Sequence, residues 1–155
     1  MPLAIGDQAP VIALGDQNGI ERRSDQLAGK ALVLFFYPKD DTPGCTKEAC
    51  AFEEALGQLG KIGLEVIGVS PDKMPPIERF AVKYRLTFPL ASDESKTVAG
   101  RYGTWVEKSL YGRKYMGMER STFLVGKDGK VAKVWRQVKV AGHAEAVLAA
   151  ASALG

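Results

Sequence analysis

Two kinds of apolar patterning alternate along this chain: unbroken apolar runs of strand length, and stretches where apolar residues return every three or four positions. "ALVLFFY", Ala31 to Tyr37, is a run with β-branched and aromatic members, as expected of a central strand covered on both faces. "LEVIGVS", Leu64 to Ser70, predicts a second buried strand. Between them, Ala49, Phe52, Leu56 and Leu59 mark one face of a helix over Thr46 to Leu59. Pro75 to Leu86 opens with proline, where a helix tolerates it, and aligns Ile77, Phe80, Ala81 and Tyr84 on one face. A short segment "FPLASD" and a short helix around Ser95 to Tyr102 follow. Gly103 to Gly117, punctuated by glycine, reads as a surface loop.

Ser121–Gly126 and Lys130–Trp135 are strand-like and meet across Lys127-Asp128-Gly129, whose Asp-Gly step is a hairpin signal. The alanine-rich tail "GHAEAVLAAASAL" predicts a closing helix. At the other end, Val11–Leu14 and Ile20–Arg23 flank the turn "GDQNG" and predict a small hairpin. Strand, helix, strand, helix, antiparallel hairpin and final helix give an α/β fold, a mixed central sheet with helices on both faces. That order is the thioredoxin fold with an N-terminal β-hairpin extension. No repeat or linker interrupts it, so residues 1–155 are expected to form a single domain.

Composition narrows the function classes. With 46% apolar residues, 155 positions suffice for one well-filled core. A net charge of +3, spread without a basic tract, argues against nucleic acid or a membrane surface as a partner. Met1 to Pro10 lacks the features of a secretory signal, and the cytoplasm is the expected compartment. Two cysteines in that setting point to catalysis, redox sensing or metal binding rather than a permanent bridge.

Both cysteines lie in "PKDDTPGCTKEAC", where the first buried strand gives way to a helix. Cys45 falls in the first helical turn, whose unpaired N–H groups and dipole favour a thiolate. The Thr42 hydroxyl, three residues upstream, is placed to donate a hydrogen bond to that sulfur or to an oxygen beside it. Pro38 has no N–H and walls the site without competing as a donor. In an intact helix, residues i and i+5 have Cα atoms roughly 8.6 Å apart, whereas a disulfide generally needs less than about 7 Å. A Cys45–Cys50 redox couple therefore requires local unwinding. Metal binding lacks ligands, since the only histidine, His143, stands far along the chain and reads as a cap or surface residue.

The pattern P-x3-T-x2-C, filled by Pro38, Thr42 and Cys45, resembles that of the peroxiredoxins, thiol peroxidases built on the thioredoxin fold. "DDTPGCTKEAC" as a whole, "ERSTFLV" from Glu119 to Val125, and the length and element order are similar to the bacterioferritin comigratory protein, or peroxiredoxin Q, branch. The resemblance implies that Cys45 is the peroxidatic nucleophile, with Thr42 and Arg120 orienting the peroxide and Pro38 shielding the sulfenic acid. It implies Cys50 as the resolving cysteine, an intramolecular disulfide, and re-reduction by thioredoxin or glutaredoxin. Glu48 also matches a family position and is assigned an orienting role through hydrogen bonds. No metal, haem, flavin or other cofactor is implied, and a monomer is expected.

Two other readings use the same residues. A peroxide-responsive sensor or chaperone-like binding protein would form the disulfide without efficient turnover. A general disulfide reductase would act on protein disulfides without peroxide, although such enzymes usually separate their cysteines by two residues rather than four. Tyr111, Tyr115, Met116 and Met118 are left without a role, and Trp105 and Trp135 are expected to pack.

Overall fold

Strands β1 (Ala13–Gly15) and β2 (Glu21–Arg23) form the N-terminal hairpin. Its turn is closed by Asp16, a fully buried carboxylate that accepts from the N–H groups of Asn18 and Ile20 and from Arg22. This computed structural model describes residues 3–26, 30–39 and 41–154; the other positions, Asp40 of the quoted motif among them, lie outside the described residues.

The main sheet is assembled from β3 (Ala31–Phe36), β4 (Leu64–Ser70), β5 (Leu90–Ser92), β8 (Ser121–Val125) and β9 (Val131–Trp135), in the order β5-β4-β3-β8-β9. β3 runs parallel to β4 and antiparallel to β8, with Phe35 opposite Gly68 on one side and Thr122 on the other. All six residues of β3 are buried, and burying each large apolar side chain contributes roughly 1.5–3 kcal/mol. Gly68 is required by this packing: a Cβ there would sit 2.8 Å from the Phe35 ring and 2.9 Å from Leu90.

Alternation along β3 separates two cores. Val33, Phe35 and Tyr37 face helices α1 (Pro43–Lys61), α2 (Met74–Lys83) and α4 (His143–Ser152); Leu32, Leu34 and Phe36 face α3 (Thr97–Tyr102) and the N-terminal hairpin. Gln17 donates to the Phe88 carbonyl and accepts from Leu90 N–H, so the hairpin covers the β5 edge. The predicted mixed sheet, its flanking helices and the thioredoxin-type order are all present.

Three expectations are corrected. The long helix starts at Pro43 rather than Thr46, because proline at its first position and Gly44 after it fall outside the apolar repeat that marks the buried face. Gly103–Gly117 is no loop: β6 (Trp105–Leu110) and β7 (Arg113–Met118) pair in register through Leu110 and Arg113. Their turn uses Tyr111 and Gly112, both at positive φ (51° and 77°), the geometry of a two-residue hairpin turn. Most of this ribbon is solvent-exposed, so it carries no apolar alternation to read. His143, third, is buried at 5% exposure as the first residue of α4. Its ring lies edge-on to Phe52 and Trp135, and Nε2 is 2.7 Å from the Thr122 hydroxyl.

Burial, aided by the charge of Arg120, lowers the His143 pKa to about 4. The folded state holds it neutral while an unfolded chain protonates it near pH 6.5, so its contribution is complete above 6.5 and is lost as pH falls towards 4. At about 1.4 kcal/mol per pH unit, the stability advantage of wild type over His143→Gln is expected to shrink by about 2 kcal/mol between pH 7 and pH 5. Urea unfolding at the two pH values measures this; a difference independent of pH would show that the ring is not held neutral.

Candidate active site

Where β3 ends, Pro38 turns the chain and Asp41 takes a left-handed conformation, φ 59°, that aims it at α2. Lys83 Nζ donates to one Asp41 oxygen at 2.8 Å and the Tyr84 hydroxyl to the other at 2.6 Å. That clasp, formed with residues on and just after the last turn of α2, fixes the approach to α1. Thr42 is the residue before the helix, and the first helical bond runs from Thr46 N–H to its carbonyl at 2.8 Å. Its hydroxyl proton goes to the Lys39 carbonyl at 2.9 Å. The hydroxyl proton is therefore not donated to sulfur, and the Thr42 oxygen remains able to accept from an O–H.

Cys45 occupies the third helical position and is 1% exposed. Arg120, the residue before β8, reaches across the sheet end: its Nη2 donates to Cys45 Sγ at 3.2 Å and its Nη1 to Glu48 Oε1 at 2.8 Å. Residues 45 and 48 are three apart in a helix and share a face, which lets one planar guanidinium span both. Gly44 leaves the space this needs, since a Cβ there would lie 3.1 Å from Arg120 Nη2.

Cys50 is half-buried on the same intact helix, and both thiols are free. Burial, then the charges of Glu54 and Glu53, push the Cys50 thiol up. The two cysteines thus sit in opposite surroundings, one beside a permanent cation and one beside two carboxylates. Past Cys50, Glu53 accepts from the Thr87 N–H and hydroxyl, both at 2.6 Å, and ties the helix to the segment before β5.

The AhpC/TSA family profile matches residues 5–134. The chain is 45% identical over 148 residues to the putative peroxiredoxin bcp of Coxiella burnetii, covering 96% of this chain and 98% of that one. It belongs to the peroxiredoxins of the AhpC/TSA family. Peroxiredoxin Bcp of Escherichia coli K12 is 41% identical over 95% of this chain and 94% of its own. A solved structure of the Xanthomonas campestris bacterioferritin comigratory protein, described for its alkyl peroxide reduction activity, superposes with a TM-score of 0.90 at 40% identity, covering 97% and 96% of the two chains. The protein is accordingly a thioredoxin-fold enzyme, a thiol peroxidase.

In this peroxiredoxin the resemblance to the family and the geometry converge on Cys45, Glu48 and Arg120, which one guanidinium joins. Pro38 and Thr42 flank the loop leading to them, and Cys50 lies further along α1. Sequence reasoning missed Lys108 on β6. Burial, then repulsion from Arg120, hold its pKa down, and it also feels the Cys45 charge. Its Nζ donates to the Met118 carbonyl. No signal in the sequence marks it, because its ribbon is mostly exposed and reads as a loop. That ribbon also separates the residues left without a role: Met118 is buried with its sulfur on the Thr104 hydroxyl, while Tyr111 is 97% exposed at the turn and Tyr115 and Met116 are exposed as well. Trp105 and Trp135 pack as expected against the two cores.

Proposed function

We propose that this chain, as one domain over residues 1–155, is a two-cysteine peroxidase that reduces hydrogen peroxide and organic hydroperoxides through Cys45 and Cys50. The observation that carries the reading is the pair of bonds from Arg120, at 3.2 Å to Cys45 Sγ and 2.8 Å to Glu48. A forked cation held by a carboxyl oxygen on one arm has its other arm free for a sulfur anion and for a peroxide oxygen beside it.

The Cys45 thiolate attacks the terminal oxygen of the peroxide; the S–O bond forms, the O–O bond breaks, and water or an alcohol leaves. Thr42 accepts from the peroxide O–H, and Pro38 shields the resulting sulfenic acid. Cys50 then condenses with it, releasing water and forming a disulfide that protects Cys45 from further oxidation. Two thiols on one helix cannot meet at that spacing, so the segment between them unwinds first. Unwinding takes Cys50 out of its half-buried position beside Glu53 and Glu54, the surroundings that push its thiol up, and so eases its ionisation. A thioredoxin dithiol reduces the disulfide, and the cycle suits a monomer in the cytoplasm, where such bridges are transient.

Cys50→Ser tests the division of labour. The variant is expected to form a Cys45 sulfenic acid at the wild-type rate, trapped by a carbon-acid reagent, yet to stop turning over with thioredoxin, thioredoxin reductase and NADPH. Undiminished thioredoxin-driven turnover would remove the resolving role from Cys50.

A further inference from the structure

Glu48 has one satisfied oxygen and one that is not. The residue is 1% exposed; Oε1 accepts from Arg120, and Oε2 is buried without a hydrogen-bond partner among the described residues. A carboxylate oxygen left so is costly, whereas a protonated carboxyl carries its own hydrogen there. Charge counting agrees. Of the two cations, only Arg120 bonds these side chains, since Lys108 is spent on the Met118 carbonyl; within that contact a Cys45 thiolate matches the Arg120 charge, and a Glu48 carboxylate in addition would leave an excess of negative charge.

The reaction creates two needs at this place. When sulfur gives two electrons to the peroxide, the terminal oxygen keeps its hydrogen and becomes the sulfenic hydroxyl. The other oxygen departs as alkoxide or hydroxide and needs a proton. The same step removes the thiolate, so Arg120 loses its counter-ion. We propose that Glu48 carries the proton taken by the departing oxygen, and that Arg120 exchanges the Cys45 thiolate for the Glu48 carboxylate in that step. The inference rests on Cys45 as the attacking sulfur. Re-reduction returns Cys45 as a thiol, whose proton passes back to Glu48 as the thiolate forms again, so the cycle balances.

The groups around Glu48 permit this. Cys45 lies one turn back on α1, with side-chain bases about 5–6 Å apart at that spacing, and Arg120 touches both. His143 at the start of α4 is neutral through burial and the charge of Arg120. Lys108 on β6 is a second cation within the influence of Arg120 and Cys45. Burial raises the Glu48 pKa to about 7 against the opposing pull of Arg120, which leaves both its states accessible near neutrality.

Glu48→Gln keeps the shape and an oxygen for Arg120 but holds no transferable proton. Two probes separate proton supply from placement of Arg120: tert-butyl hydroperoxide, whose leaving alkoxide is strongly basic, and peracetic acid, whose leaving acetate needs no proton. Stopped-flow oxidation of Cys45 is expected to slow about 100-fold with the hydroperoxide and by no more than about threefold with the peracid. Equal losses with both, or no loss with either, overturn the proposal. Should the variant not fold, wild type gives the answer through its pH profile. The hydroperoxide rate is expected to decline above about pH 7 as Glu48 ionises, and the peracid rate, counted per neutral peracid, is not. Parallel profiles refute the inference. Cys45→Ser measured alongside keeps the two failures apart, since activity surviving there removes the nucleophile assignment itself.

Discussion

Cys45→Ser is expected to consume peroxide no faster than the reductant mixture without enzyme. A serine hydroxyl fills the same volume and can accept from Arg120 Nη2 in place of Sγ, so the fold and the Arg120–Glu48 pair are left standing. What goes is chemistry: an alcohol neither ionises near neutral pH nor offers a polarisable sulfur. Losses on removing an essential nucleophile reach about a millionfold where residual catalysis has been measured. NADPH oxidation coupled to thioredoxin, and direct peroxide assay, both report the outcome. Retention of even a hundredth of the wild-type rate places the nucleophile elsewhere.

Arg120→Ala is the second large effect. It deletes the donor on Cys45 Sγ and leaves both oxygens of the 1%-exposed Glu48 carboxyl without a partner among the described residues. Removing one preorganised donor from a charge-stabilising site typically costs about 100- to 1000-fold, or about 3–4 kcal/mol of transition-state stabilisation. That loss is expected in kcat/KM for hydrogen peroxide. Arg120→Lys is expected to recover only part of it, because one ammonium on a flexible stem cannot donate along the two diverging directions that Cys45 and Glu48 occupy. Wild-type rates in the lysine variant would show that charge alone suffices and that the fork has no function.

Legibility followed burial. β3 and β4 announced themselves as apolar runs because both faces of each are covered, and β4 matches its expected bounds, Leu64–Ser70. The β6–β7 ribbon stayed hidden because solvent meets much of it and because a Tyr-Gly step is a weak turn signal beside Asn-Gly or Asp-Gly. At the site, local spacing displays Pro38, Thr42, Cys45 and Cys50, all within one short segment, and the family resemblance adds Glu48 between them. Arg120 was visible through its own motif. Contacts set by tertiary packing were not: His143 against Thr122, Lys108 beside Arg120, and the direction of the Thr42 hydroxyl all depend on which elements meet. A sequence places a residue on an element, but the partner that decides its chemistry stands on another.

The two hydrogen bonds that Glu53 accepts from Thr87 divide α1 into two lengths. Ahead of them, the helix begins on Pro43-Gly44 with no side chain capping its end and no acidic residue in its first turn. Behind them, about two and a half turns are tied to the α2–β5 connection and lean on α4. The unwinding proposed between Cys45 and Cys50 lies wholly ahead of residue 53, so it leaves the tie to Thr87, and the part of α1 that the tie fastens, in place.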